Sequence, residues 1–474
     1  MWMYRALQSF LRFLTSVFFR QIEVVGEEHV PPEGEGPVLF AGNHPNSLLD
    51  PALIVAYGGR IVRFAAKDVL FRSRALRIFL DGLGAVPVAR KMDHGGDGAA
   101  VDNQQMFESL FQVLADGGAV GIFPEGISHD EASLQRLKTG AARIALGVVS
   151  RHPALPLRIV PCGLTYMRRK RFRSRVLLQF GPPILLTPDD LAAYSTDPQA
   201  AARKLTDDID RGIRALTVNA SDWETLRVLD GVRRLYQPAH ISLDQRVELA
   251  RRFNDTYPLI QDQPGIRSLF VQVEAYLDRL RELRLRDRDL RRAMGPLERL
   301  GRTLQHVTLM LVWMPLALPG AAIHVPLGLA ASWAGRNLAP RKDVIATTKL
   351  VGGLFMALAV FGATLLTVLV LYGWPWALGA AVLLPLSALA TLRVLERGAA
   401  LRVAFRTLRR LFSLSDEMQS LRSERERLES QVLQAVATHL PADMVPLFPE
   451  RAGAVSNTVT AAATLPPARP SGTR

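Results

Sequence analysis

The alternation of apolar and polar positions divides this chain into parts of different character. From residue 23 to residue 184, short apolar runs alternate with helical segments. The runs at 38–41, 61–65, 85–88, 119–123, 158–165 and 176–180 read as strands. Between them, 51–57, 73–81, 102–115 and 134–149 carry helical periodicity. Strands alternating with helices predict an α/β domain over residues 23–217, with a mostly parallel sheet flanked by helices. Ahead of it, Arg5, Arg12 and Arg20 interrupt a run of aromatic and aliphatic residues. Residues 1–22 therefore read as an amphipathic helix, lying in a membrane interface or packed on the domain's own core, and not as a cleavable signal peptide.

From residue 188 to 292 the pattern is polar and helical, with segments at 191–216, 221–236, 242–253 and 265–292. Residues 218–302 form a helical region. Its last segment is dense in Arg and Glu, which reads as a solvated face, with a coiled-coil contact as the alternative. A membrane region follows at 303–398. Between Arg302 and Arg336 there is no Asp, Glu, Lys or Arg, and Pro315, Pro319 and Pro326 interrupt the run. This predicts a bent segment, 303–335, that dips in and returns. A second uncharged stretch, 350–392, is broken by Gly373-Trp374-Pro375 into two parts long enough to cross a bilayer. It reads as a transmembrane hairpin, with a buried core pair as the alternative. Arg341, Lys342 and Lys349 precede it, and Arg393, Arg397 and Arg402 follow, which predicts that both ends are cytoplasmic. Residues 399–450 continue as a basic amphipathic and then charged helix on that side. The tail, 451–474, is rich in Ala, Thr, Pro and Ser and is expected to be disordered.

Charge changes this picture. The net charge is +14 and the isoelectric point about 10.4. Such a balance calls for an anionic partner, and the apolar stretches favour an anionic phospholipid membrane over nucleic acid. The single cysteine, Cys162, excludes an intrachain disulfide and a cysteine-based zinc cluster. The histidines show no paired spacing, so no metal site is expected.

Four stretches carry candidate chemistry. In Asn43-His44-Pro45-Asn46-Ser47-Leu48-Leu49-Asp50, a histidine follows a strand and an acid follows the histidine. The acid would fix the imidazole tautomer, and the free ring nitrogen would take a proton from a hydroxyl. The competing reading is a helix start, with Ser47 as cap and Asp50 in the first turn. In 84–91, from Gly84 through Pro87, a strand delivers Arg90 and Lys91 into a loop. Arginine there suits a phosphate, or is an ordinary surface residue. In Phe123-Pro124-Glu125-Gly126, a strand ends in a turn presenting Glu125 on the same edge as His44, with Lys138 and Arg143 following. A strand broken by Pro161 reads as an edge or bulge.

Those four stretches, in this order, resemble the glycerophospholipid acyltransferase family over roughly residues 20–184. The family's first motif is His, four residues, then Asp. Here five residues intervene, which is similar to the fungal glycerol-3-phosphate/dihydroxyacetone-phosphate acyltransferase branch. The second motif is represented by Gly84, Pro87, Val88 and Arg90, with Pro87 where the family more often has Phe. The third is intact as Phe123 to Gly126, and the fourth is Val160-Pro161. The resemblance implies transfer of an acyl group from acyl-CoA or acyl carrier protein to glycerol-3-phosphate, glycerone phosphate or a 1-acyl product. A lysophospholipid acceptor and a non-catalytic membrane scaffold are the alternatives. It implies His44 as general base and Asp50 as its partner. Gly84, Pro87, Arg90, Glu125 and Gly126 would bind the acceptor, and Pro161 would shape the acyl-donor side. No cofactor is implied beyond the acyl donor. The enzyme would be a multi-pass membrane protein with its catalytic domain on the cytoplasmic side.

Overall fold

The computed structural model describes residues 2–67, 71–72, 74–88, 104–291, 296–413, 415–439, 445–449 and 451. The chain forms two compact units, Met1–Asn219 with Pro326–Thr364, and Ala220–Val325 with Leu365–Arg474.

The first unit opens with α1 (Trp2–Phe18) and β1 (Phe19–Val25). Then come β2 (Val38–Gly42), α2 (Leu49–Tyr57), β3 (Val62–Lys67), α3 (Arg74–Gly82), β4 (Val86–Val88), α4 (Gln104–Ala115), β5 (Ala119–Ile122) and α5 (Gly140–Arg151). It continues through β6 (Arg158–Tyr166), β7 (Ser174–Phe180), β8 (Ile184–Leu185), α6 (Pro188–Thr196) and α7 (Pro198–Arg214). The strands form one sheet in the order β1-β7-β6-β2-β5-β3-β4, with β8 also on β6. All pairings are parallel except β6 with β7 and β6 with β8. The expected mostly parallel sheet with flanking helices is what forms. Its two faces bury separate apolar layers, one with α1 and α2, the other with α4, α5 and α7.

Two strands escaped the sequence pattern. Helical periodicity runs to residue 20, yet β1 takes over at Phe19 and pairs with β7. β8 is only two residues long. The helix expected at 134–149 starts at Gly140 instead. Residues 134–138 stay extended because their backbone N–H groups serve other partners. Leu134 donates to Asn219, Gln135 to Glu125, and Lys138 to the Pro124 carbonyl.

Pro161 is not on an edge. β6 lies between β2 and β7, and Pro161 is buried opposite Ala41. A proline fits there because the neighbouring chain has left β7 at Phe180 and not yet entered β8 at Ile184. A Cβ on Gly212 of α7 would lie 2.7 Å from Pro161 Cγ, so the ring packs against a bare helix backbone.

α1 packs one face on the domain's own core and leaves an apolar face exposed. Tyr4, Leu11 and Phe18 enter the core beneath α2, while Trp2, Met3, Phe10 and Phe13 stay exposed. The Tyr4 hydroxyl bridges to β3 by exchanging hydrogen bonds with the Val62 backbone, and burial pushes it up to about 12.

The second unit contains α8 (Trp223–Tyr236), α9 (Leu243–Ile260), α10 (Pro264–Glu282) and α11 (Asp287–Arg291). After them come α12 (Pro296–Asn337), α13 (Ile345–Tyr372), α14 (Trp374–Ser413) and α15 (Ser415–His439), with α12 and α13 extending into the first unit. α15 packs on α8 and α10 through Leu421, Leu428, Val273 and Tyr276. The charged segment near 265–292 therefore has a helical partner as well as a wet face. Buried Arg425 reaches Asp287 at 3.0 Å and Glu429 at 2.5 Å, so that cation is paired.

Among the described residues three helices are long and apolar enough to cross a membrane: Leu300–Asn337, Lys342–Tyr372 and Trp374–Arg402. The expected bend in 303–335 is not what forms. α12 is one continuous helix of 42 residues through Pro315, Pro319 and Pro326. An apolar setting leaves backbone groups no partner but their own helix, which is why proline interrupts such helices less than its propensity suggests. The break expected at Gly373-Trp374-Pro375 is where α13 ends and α14 begins, with Gly373 at a φ of +86°. The tail 452–474 lies outside the described residues.

Candidate active site

β2 and β5 are parallel neighbours, with Ala41 opposite Ile122. The chain leaves both at the same edge of the sheet, where side chains with chemistry collect in such folds. That register brings His44 and Glu125 together although they are far apart in sequence.

His44 Nδ1 is 2.8 Å from Asp50 Oδ2. Asp50 is fully buried and takes two further donors, the Asn46 N–H at 2.7 Å and the Tyr166 hydroxyl at 2.6 Å. With two other donors on the carboxylate, the contact suits an Nδ1–H donating to Asp50, which leaves Nε2 as the ring nitrogen facing away from it. Among the described residues Nε2 has no hydrogen-bond partner. The ring lies flat on Phe123, centroids 4.1 Å apart and planes within 6°. Burial and the neighbouring Asp50 push the Tyr166 hydroxyl well above its usual range, so it stays a donor.

The helix-start reading of this stretch is half realised, with Asp50 in the first turn of a helix but Ser47 not capping it. α2 begins at Leu49, and no side chain caps it. Ser47 instead sits at φ +51°, a left-handed conformation uncommon outside glycine and asparagine. That turn absorbs the fifth intervening residue and swings Asp50 back under the imidazole.

Glu125 is placed differently from the sequence expectation. Its side chain is fully buried, and Oε1 accepts the His44 backbone N–H at 2.7 Å. Oε2 accepts the Gln135 N–H at 2.8 Å and pairs with the His129 ring. Oε1 thus holds the His44 backbone while Oε2 holds the third-motif loop, so both oxygens are engaged inside the fold. Gly126 follows at φ +75°, and the Lys138 side chain crosses it so closely that a Cβ would lie 2.7 Å from Nζ. Only glycine allows that turn and that approach.

The remaining expected site residues are more scattered. Gly84 precedes β4, at the sheet edge away from His44, and makes a turn at φ +65°. Pro87 lies within β4, the outermost strand, opposite Ala66. β4 is parallel to β3 and so runs toward the catalytic edge, but Arg90 beyond it lies outside the described residues. Pro161 is in the core beneath the motif loops.

Several residues at this edge carried no signal in the sequence. Tyr166 ends β6, and Arg169 and Lys170 follow. Asn43 clamps β6 by exchanging hydrogen bonds with the Leu164 backbone at 2.8 and 3.1 Å. Burial lowers the Arg169 guanidinium from its ordinary value, opposed by the carboxylates of Asp130, Asp50 and Glu125. His129 and Asp130 lie just past the third motif. Cys162 is fully buried and its thiol is pushed up by burial, which removes it as a nucleophile.

With this geometry, comparison with known proteins is decisive. Residues 21–165 match the family described as Acyltransferase, and residues 228–444 match the Glycerol-3-phosphate acyltransferase 2 C-terminal domain. Both matched stretches are thus similar to glycerophospholipid acyltransferases. It is 26% identical over 474 residues to Glycerol-3-phosphate O-acyltransferase 2 of Saccharomyces cerevisiae, an alignment covering 75% of this chain and 64% of that protein. It is 34% identical over 289 residues to Glycerol-3-phosphate O-acyltransferase 1 of the same yeast, covering 57% of this chain and 38% of that protein. The chain thus spans less than two thirds of the length of these relatives. A solved 1-acyl-sn-glycerophosphate acyltransferase from Thermotoga maritima is similar at 18% identity and a TM-score of 0.31, covering 43% of this chain and 79% of that one.

Proposed function

We propose that this protein is a membrane-bound O-acyltransferase that moves a fatty acyl group from a thioester donor, acyl-CoA or acyl carrier protein, to glycerol-3-phosphate or glycerone phosphate. The observation that carries the reading is the His44–Asp50 pair, with the carboxylate buried, triply bonded and 2.8 Å from the imidazole. An alcohol is a poor nucleophile at neutral pH, and a positioned base corrects this. In this mechanism His44 Nε2 takes the proton as the acceptor oxygen attacks the thioester carbonyl. The C–O bond forms, the C–S bond breaks, and the imidazolium returns its proton to the departing thiolate. Asp50 stabilises the imidazolium between the two steps.

In this reading Arg90 grips the acceptor phosphate, aided by Lys138 where it crosses Gly126. Gly84 and Pro87 shape the strand that delivers Arg90, and Pro161 underlies the acyl-donor side. Glu125 acts as a positioning residue for His44. The longer His44-to-Asp50 spacing and the yeast relatives favour the first acylation over that of a 1-acyl acceptor. The test is labelled acyl-CoA with a panel of acceptors on membranes holding the full chain. Product with glycerol-3-phosphate or glycerone phosphate supports the reading. Product only with head-group-bearing lysophospholipids points to remodelling, and no product with any acceptor points to a scaffold.

The α13–α14 hairpin crosses an anionic bilayer twice, with its basic flanks and the catalytic unit on the cytoplasmic face. Donor chain and product are both lipid-soluble, so a site at the interface spares them passage through water.

A further inference from the structure

Residues 341–349 lead into α13, yet they belong to the same compact unit as the catalytic motifs. Asp343 is 5% exposed and accepts the Ser128 hydroxyl at 2.5 Å, across 215 residues of sequence. Arg341 donates to both, at 3.0 Å to Ser128 Oγ and 2.9 Å to Asp343 Oδ2. The Thr347 hydroxyl donates to the Asn46 carbonyl at 3.4 Å. The Lys349 ammonium donates to the Lys170 carbonyl at 2.6 Å. Between them Ala346 is fully buried in the core cluster that holds Leu49 and Leu53 of α2.

Each contact falls on a loop that orients the catalytic pair. Ser128 precedes His129, whose N–H donates to the His44 carbonyl at 3.2 Å and whose ring holds Glu125. Asn46 supplies one of the three donors to Asp50. A buried carboxylate is costly unless paired, and Asp343 finds its partners on the third-motif loop and on Arg341.

We propose that residues 341–349 are a positioning element of the acyltransferase site, with Asp343 acting on His44 through Ser128. The proposal rests on the acyltransferase reading above. The site is then complete only when the first turn of a membrane helix is seated on it, and residues 1–219 alone lack one of its supports.

The experiment compares Asp343→Ala, Asp343→Asn, Ser128→Ala and the Asp343→Ala/Ser128→Ala double variant, all as full chains in membranes. For each, kcat, acceptor KM and thermal stability are measured. Asp343→Ala and Ser128→Ala are each expected to lower kcat about tenfold with acceptor KM within about twofold. The double variant is expected to be no slower than the slower single one, because both act through one contact. Asp343→Asn keeps an oxygen for the Ser128 hydroxyl and is expected to regain most of the loss. Wild-type kcat in Asp343→Ala overturns the proposal. So do losses that multiply to about a hundredfold in the double variant, or that follow a fall in thermal stability across the series. If the unmutated chain transfers acyl groups and Asp343→Ala does so equally well, only the positioning role fails. If the unmutated chain is inactive with every acceptor, both readings fail.

Discussion

Glu125 Oε1 accepts the backbone N–H of His44 at 2.7 Å, while its other oxygen is held by His129 and by the Gln135 N–H. The carboxylate therefore holds the chain from which the His44 imidazole hangs. Glu125→Gln puts an NH2 where at least one of these donors now points. The expected result is a fall in kcat of about a hundredfold, with little change in acceptor KM. Steady-state kinetics checks it. A raised KM at unchanged kcat would return this residue to direct acceptor binding.

Tyr166 gives Asp50 its third donor, at 2.6 Å in a fully buried setting. Tyr166→Phe keeps the ring and removes only that bond. A hydrogen bond to a buried charge is worth ~1.5–3 kcal/mol, so thermal stability should fall measurably. The kcat should drop about tenfold as Asp50 loses its fixed orientation. Calorimetry and kinetics on the same preparation test both effects.

Arg90 is assigned from motif order and from the direction of β4. Arg90→Ala should raise the acceptor KM at least tenfold and leave the donor KM alone. An unchanged acceptor KM would move the phosphate grip to other cations at this edge, such as Lys138.

The proposed membrane topology can be tested starting from Asp343. It is buried against Ser128, so in the proposed topology the chain before α13 lies on the same side as the His44 loop. Among the described residues, no helix before Leu300 is long and apolar enough to cross. The proposed topology, in which α13 and α14 cross and α12 does not, predicts that the two ends of α12 share one face. Single cysteines in a Cys162→Ser background, placed at Gly301, Lys342 and Gly373, should react with an impermeant maleimide from the same side at the first two sites and the opposite side at the third. Opposite-side labelling of Gly301 and Lys342 would show that α12 spans.

The His44–Asp50 contact was legible in the sequence because strand, histidine and acid fall within one short turn. Glu125 was legible as a neighbour because parallel strands deliver their following loops to one edge. Its inward aim was not, since that depends on a single backbone N–H across the sheet. Tyr166, Ser128 and Asp343 left no local signal, because each acts through a partner distant in sequence. Pro161 looked like an edge residue, because nothing local reveals that β7 ends and β8 begins opposite it. The prolines of α12 looked like breaks under rules learned from water-exposed backbone.

The most direct test uses the full chain in anionic vesicles, with glycerol-3-phosphate and labelled acyl-CoA, comparing the unmutated protein with His44→Ala. A general base contributes ~10²–10⁴-fold, so the variant should stay folded and membrane-bound while its turnover falls by that factor. Turnover in His44→Ala within a few-fold of the unmutated protein would mean that another group takes the acceptor's proton.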